Sequence, residues 1–234
     1  GNNEFFGAYG TASINAAGSL PPWALRAMRA ARGLALVQVL DSWLYRGADE
    51  NQSLMEEMIG QTVIAAGSPL REAAARNLAA NLGTMLDEVK AAGVASMVCT
   101  TASNESGLAP LGEDDTAGLD EKQQRELRRL LGEAADAAEA DRFPQAVDLL
   151  RQAGQIAPRH ARVRFLLGQV LVRGGQLDLA RSAFLAARDL DTMPWRPISL
   201  TEQAIRNTAL TKGATLCDVA EIFRKESPDG ATGW

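Results

Sequence analysis

A fixed separation of 34 residues recurs in the second half of this chain and limits what that half can become. At that offset Ala146 pairs with Ala180, Leu150 with Phe184, and Ala153 with Ala187. A period of roughly 20–50 residues encodes stacked supersecondary units, none of which can bury its apolar face alone. Small residues at such positions let helices approach closely, and large ones fill the groove between them. The stretch from about Leu119 to about Leu190 reads as helical, so the unit is a helical hairpin used twice. Independent stability generally takes about three such units. Two copies therefore predict that this part leans on the rest of the chain or on a partner.

The flanks carry a different pattern. Ser68 is placed to cap a helix and Pro69 to occupy its first turn. Leu70, Ala74, Leu78, Met85 and Val89 recur at helical spacing until Gly93 ends it. The apolar, partly β-branched run Val94 to Thr100 follows and reads as a buried strand. Near the C-terminus Ser199 and Glu202 have capping-box spacing. A helix is predicted to about Leu210, Gly213 breaks it, and Ala214 to Val219 is a second strand. A helix feeding a strand is the half-unit of a parallel sheet, so the two strands are expected to be neighbours. Pro21-Pro22 open a further helix over Trp23 to Tyr45, and another is predicted near Ser53, with Glu56 at capping-box spacing. This organisation predicts an α/β body over 1–116, a helical insert over 117–196 and a return to the body over 197–234.

The net charge of −5 points away from nucleic acid as the main partner. Residues 120–188 are set apart from the rest, with 12 basic against 9 acidic side chains. His160 is the only histidine, so no metal site is expected, and no cofactor motif is present. It lies in Pro158-Arg159-His160-Ala161, between the two repeat units, and reads as structural. Cys99 and Cys217 do not make a disulfide framework. Both fall in strand-like runs and are expected to be buried free thiols. No run approaches the ~20 apolar residues of a membrane span. There is no G-x-S-x-G elbow, no glycine-rich phosphate loop and no Gly-Asp-Ser.

The second repeat unit carries Leu167, Gly168, Leu171, Gly175, Ala180, Phe184 and Ala187, and in this it resembles the tetratricopeptide repeat. The first carries Ala146, Ala153 and Pro158, with Asp141 where the turn glycine would stand. The chain opens on Gly1-Asn2-Asn3-Glu4, a loop signal with no strand ahead of it, and so reads as a piece of a longer protein. The run from Gly1 to Gly10 resembles the Gly-x-Asn-Asp/Glu block of SGNH (GDSL-type) hydrolases, in the longer form of bacterial members that also carry tetratricopeptide repeats. Cys99 to Leu111 resembles the same family at Asn104 and Pro110 and departs from it at Glu105, Ser106 and Gly107. A third resemblance runs from Asp189 to Val219 and includes Asp191 and Arg196.

The resemblance implies an α/β protein, an incomplete flavodoxin-like three-layer sandwich with a parallel sheet, interrupted by the all-α insert. It implies that the intact protein is an esterase or O-deacetylase acting on an ester-bearing small molecule or glycan. Asn3 would be the catalytic oxyanion donor, a role worth about 2.7–4 kcal/mol. Gly1, Glu4, Asn104 and Arg196 would border the substrate. Plainer readings stand beside these: Glu4 orients its loop or faces water, Asn104 makes a turn, and Arg196 pairs with Asp191. The nucleophile and Asp-x-x-His blocks of the family are not in this sequence, so the chain as it stands is expected to hydrolyse nothing. The competing expectation is a non-catalytic scaffold or pseudo-hydrolase whose repeats bind a protein or peptide.

Overall fold

The 34-residue period folds into two successive helical hairpins, as a computed structural model of the chain shows. The structure describes residues 3–7, 10–13, 22–44, 63–112 and 114–233. The hairpins are α5 (Glu121–Glu139) with α6 (Phe143–Ile156), and α7 (Ala161–Arg173) with α8 (Leu177–Leu190). Before them come α1 (Asn3–Phe6), α2 (Pro22–Arg32), α3 (Ala35–Leu44), α4 (Pro69–Ala91) and β1 (Met97–Cys99). After them come α9 (Ser199–Lys212), β2 (Thr215–Cys217) and α10 (Val219–Glu226).

Local chemistry sets the hairpins. Asp120 accepts from Gln123 N at 2.7 Å while the Gln123 side chain accepts from Asp120 N at 2.9 Å, a reciprocal cap that starts α5. The turn between α5 and α6 needs a left-handed residue. Asp141 supplies it at φ 55°, and Gly175 takes the equivalent place in the second copy at φ 74°. A short polar side chain tolerates that conformation far better than a branched one. Alanines at 137, 146, 153, 180 and 187 are buried between helices, with Leu150, Leu171 and Phe184 filling the remaining space. Each such large side chain contributes about 1.5–3 kcal/mol by leaving water. Gly168 is required by close approach, because a Cβ there would lie 2.7 Å from the Phe184 ring.

The three-layer α/β sandwich is overturned. Among the described residues the protein is mostly helical, with ten helices and two three-residue strands. The strands do pair in parallel, in the register Met97↔Thr215, Val98↔Leu216 and Cys99↔Cys217. Only Val98 of β1 is buried, against Leu86 of α4 and Ala209 of α9. A parallel strand buried on both faces needs helices on both sides, and here α4 and α9 pack together behind one face. An apolar run reports affinity for a core but not how many neighbours it will find. The same fact corrects the thiols: Cys99 is exposed and Cys217 half-buried.

Ser68 caps α4 as its sequence implies, accepting from Leu70 N at 3.3 Å. Ser199 does not cap α9. It is the first helical residue, and the Thr201 hydroxyl accepts from Ile198 N instead, at 3.1 Å. Gly213 closes α9 in the left-handed region at φ 72°. The helix expected over Trp23 to Tyr45 breaks at Gly33-Leu34 into α2 and α3, and Tyr45 lies outside the described residues. So does the helix expected near Ser53. The opening is a short helix folded back on itself, with Ala12 N donating to Phe5 O at 2.8 Å. Phe6 stacks on Trp195, ring centres 5.7 Å apart, in a cluster with Ile64, Ala74 and Ile198.

Candidate functional site

Since α5 and α7 are the first helices of their hairpins, residues one repeat apart on them face the same side. Ala135 and Gln169 stand in this relation, as do Ala138 and Val172. These four line a groove with a cavity of about 480 Å³, whose depth is set by Leu150 and Phe184. Alanines on α5 leave the floor low and apolar. Polar groups lie at the rim: the exposed Gln169 amide, Arg173, Ser106 and Asp229. Arg173 is held in place by Asp141, with Nη2 2.9 Å from Oδ1, and lies 4.9 Å over the Phe143 ring. The chemistry is that of an apolar anchor site with a few orienting hydrogen-bond groups.

One end of the groove is built by distant parts of the chain. Ala231 is buried in the repeat core, and Thr232 O accepts from Ser106 N at 3.0 Å. The loop carrying Ser106 is fixed by a buried quartet of charges. Glu105 and Arg188 are each 1 % exposed, Glu202 is 2 % and Arg224 is 4 %. Arg188 Nη1 lies 2.9 Å from Glu105 and 2.6 Å from Glu202. Arg224 Nη2 lies 2.6 Å from Glu105 and 2.7 Å from Glu202. Two positive and two negative charges in alternation compensate one another, which burial at this depth demands. Burial works to raise the Glu202 carboxyl, but Arg224 and Arg188 outweigh it and hold the group below its ordinary range.

The residues that the hydrolase resemblance singles out are placed as follows. Gly1 and the Asn3 side chain lie outside the described residues, while the Asn3 backbone begins α1. Glu4 is half-buried, and its carbonyl accepts from Thr11 N at 3.0 Å. Asn104 folds onto its own loop, its Oδ1 accepting from Gly107 N at 2.7 Å. Arg196 donates to Asn104 O at 2.9 Å and Leu108 O at 2.6 Å, and pairs with Asp191 at 3.4 Å. Burial pushes the Arg196 guanidinium down from its usual range and Asp191 opposes that shift. Asn104 and Arg196 are thus brought together, at the joint between the hairpins and the rest of the chain. His160 is buried at the start of α7, its Nδ1 accepting from Val163 N at 3.4 Å.

Sequence reasoning missed the groove residues and the quartet. The groove was findable, because the 34-residue offset pairs Ala135 with Gln169 as surely as Ala146 with Ala180. Nothing local marks Glu105 as buried.

Residues 137–193 match the tetratricopeptide repeat family. The match runs from the last turn of α5 through α6, α7 and α8. No curated protein and no solved structure matches the chain. Tetratricopeptide repeats point to a protein partner, and the groove lies on the first-helix face of the two hairpins. Among the described residues no helix is long and apolar enough to cross a membrane.

Proposed function

We propose that this chain is a protein-interaction module and that the groove between α5 and α7 takes a peptide segment of a partner protein. The observation that carries this reading is the groove itself. Equivalent residues of two tetratricopeptide hairpins line it, and it has room for an apolar side chain. The partner segment sets such a side chain over Ala135 and Ala138, and its backbone exchanges hydrogen bonds with the Gln169 amide. Apolar anchors in desolvated pockets carry most of the energy at interfaces of this kind. The helices and strands outside the hairpins act as a scaffold that holds the groove's ends, and the hydrolase reading gains no supporting observation from the geometry or the comparisons.

A peptide selected from a random library on the 234-residue chain tests the reading by calorimetry. Ala135→Trp fills the groove from an exposed position, so binding falls at least about tenfold, or about 1.4 kcal/mol, with the melting temperature unchanged. Peptides that bind Ala135→Trp as well as the parent chain contradict it.

A further inference from the structure

Cys99 ends β1, Cys217 ends β2, and the two are direct register partners. Neighbouring parallel strands run about 4.8 Å apart, and a disulfide spans Cα separations of about 4.4–6.8 Å. Register partners project to the same face of a sheet. Because Val98 points into the α4–α9 core, Cys99 and Cys217 point away from it, on the face that carries the exposed Met97. Both are free thiols, Cys99 exposed and Cys217 half-buried.

We propose that Cys99 and Cys217 form a reversible dithiol site whose reactant is a small-molecule disulfide of the glutathione type. The exposed Cys99 attacks first as its thiolate, having released its proton to solvent. A bond forms between Cys99 Sγ and one glutathione sulfur, the glutathione S–S bond breaks, and one glutathione thiolate leaves and takes up a proton. Cys217 then loses its proton and attacks Cys99 Sγ. The Cys99–Cys217 bond forms and the second glutathione leaves as its thiol. The protein loses two electrons and two protons, and the glutathione disulfide gains them. Burial and the adjacent Cys99 raise the Cys217 thiol above its ordinary value, which makes it the poorer first nucleophile; its place opposite Cys99 in the register makes the second attack intramolecular. An exposed bridge of this kind is readily reduced again. Once closed, it ties β1 to β2 and so joins the two ends of the repeat-bearing segment.

The test is incubation of the folded 234-residue chain with glutathione disulfide, read by intact mass and peptide mapping. The expected product is lighter by two hydrogens, carries a Cys99–Cys217 cross-link, and returns to two thiols with dithiothreitol. Cys217→Ser stops at a glutathione adduct on Cys99, and Cys99→Ser reacts at least tenfold more slowly. Glutathione on both cysteines of the parent chain, disulfide-linked dimers, or two unreacted thiols under conditions that oxidise free dithiothreitol would each overturn the proposal.

Discussion

Arg224 reaches Glu105 across 119 positions of the chain, its Nη2 2.6 Å from Oε1. Arg188, on the last helix of the repeats, shares the same carboxylate oxygen at 2.9 Å. Two repeats fall short of the three or so that independent stability generally takes, and this buried contact is one place where they are tied to the remainder of the chain. Removing one member strands an opposite charge away from water, which costs about 3–5 kcal/mol. Glu105→Gln and Arg188→Met are each expected to lower the unfolding free energy by that amount, measured by urea titration. A loss under about 1 kcal/mol in both would place the joint elsewhere.

Gly168 faces Phe184 with no room for a methyl group. Gly168→Ala forces the ring or the α7–α8 spacing to shift, and overpacking of this kind costs about 1–3 kcal/mol. The measurement is the same urea titration. A neutral result would mean that the two helices separate freely.

Asp218 titrates at about 2, held down mainly by Arg206, whose Nε lies 2.7 Å away. The Thr100 hydroxyl adds a bond of 2.8 Å. An unfolded aspartate titrates near 3.9. The unfolded chain therefore takes up this proton first as the pH falls. The stabilisation is complete above about pH 4 and is lost as the pH drops toward about 2. Asp218→Asn is expected to flatten the stability profile across that window and to lower stability at neutral pH.

His160 titrates below its ordinary value, chiefly because it is buried, with Asp114 opposing and Arg162 assisting the shift. Its Nδ1 faces both Val163 N and Asp114 Oδ1, each at 3.4 Å. The neutral ring accepts from Val163 N and caps α7, whereas the protonated ring gives up that bond. Since the folded value is depressed, the stabilisation is present above the unfolded value of about 6.5 and falls as the pH drops below it. His160→Asn keeps a capping oxygen and is expected to remove the fall in stability that sets in as the pH drops below about 6.5, read from urea midpoints. An unchanged dependence would assign it to another group.

The repeats were legible because their period forces equivalent residues into equivalent surroundings. Asp141 and Gly175 share a left-handed turn, and Ala146 and Ala180 share a crowded helix contact. The Ser68 cap was legible because it is local. The pairing of β1 with β2 was legible, but its extent was not, since an apolar run does not say how many strands will flank it. Glu105 looked like a departure from a loop pattern and is instead the centre of the charge quartet. A carboxylate is read as solvated until its distant partners are known, and Arg188 and Arg224 lie far away in sequence. Glu202 illustrates the same limit: its spacing from Ser199 fits a cap, yet the fold spends it on Arg188 and Arg224.

Amide hydrogen exchange on the full 234-residue chain, with and without a library-selected peptide, tests the interaction groove most directly. Added protection is predicted in the segments 131–138 and 166–173, and none of it is expected in Ala135→Trp. Protection that instead falls on α4 and α9, with 131–138 and 166–173 unchanged, would contradict the account.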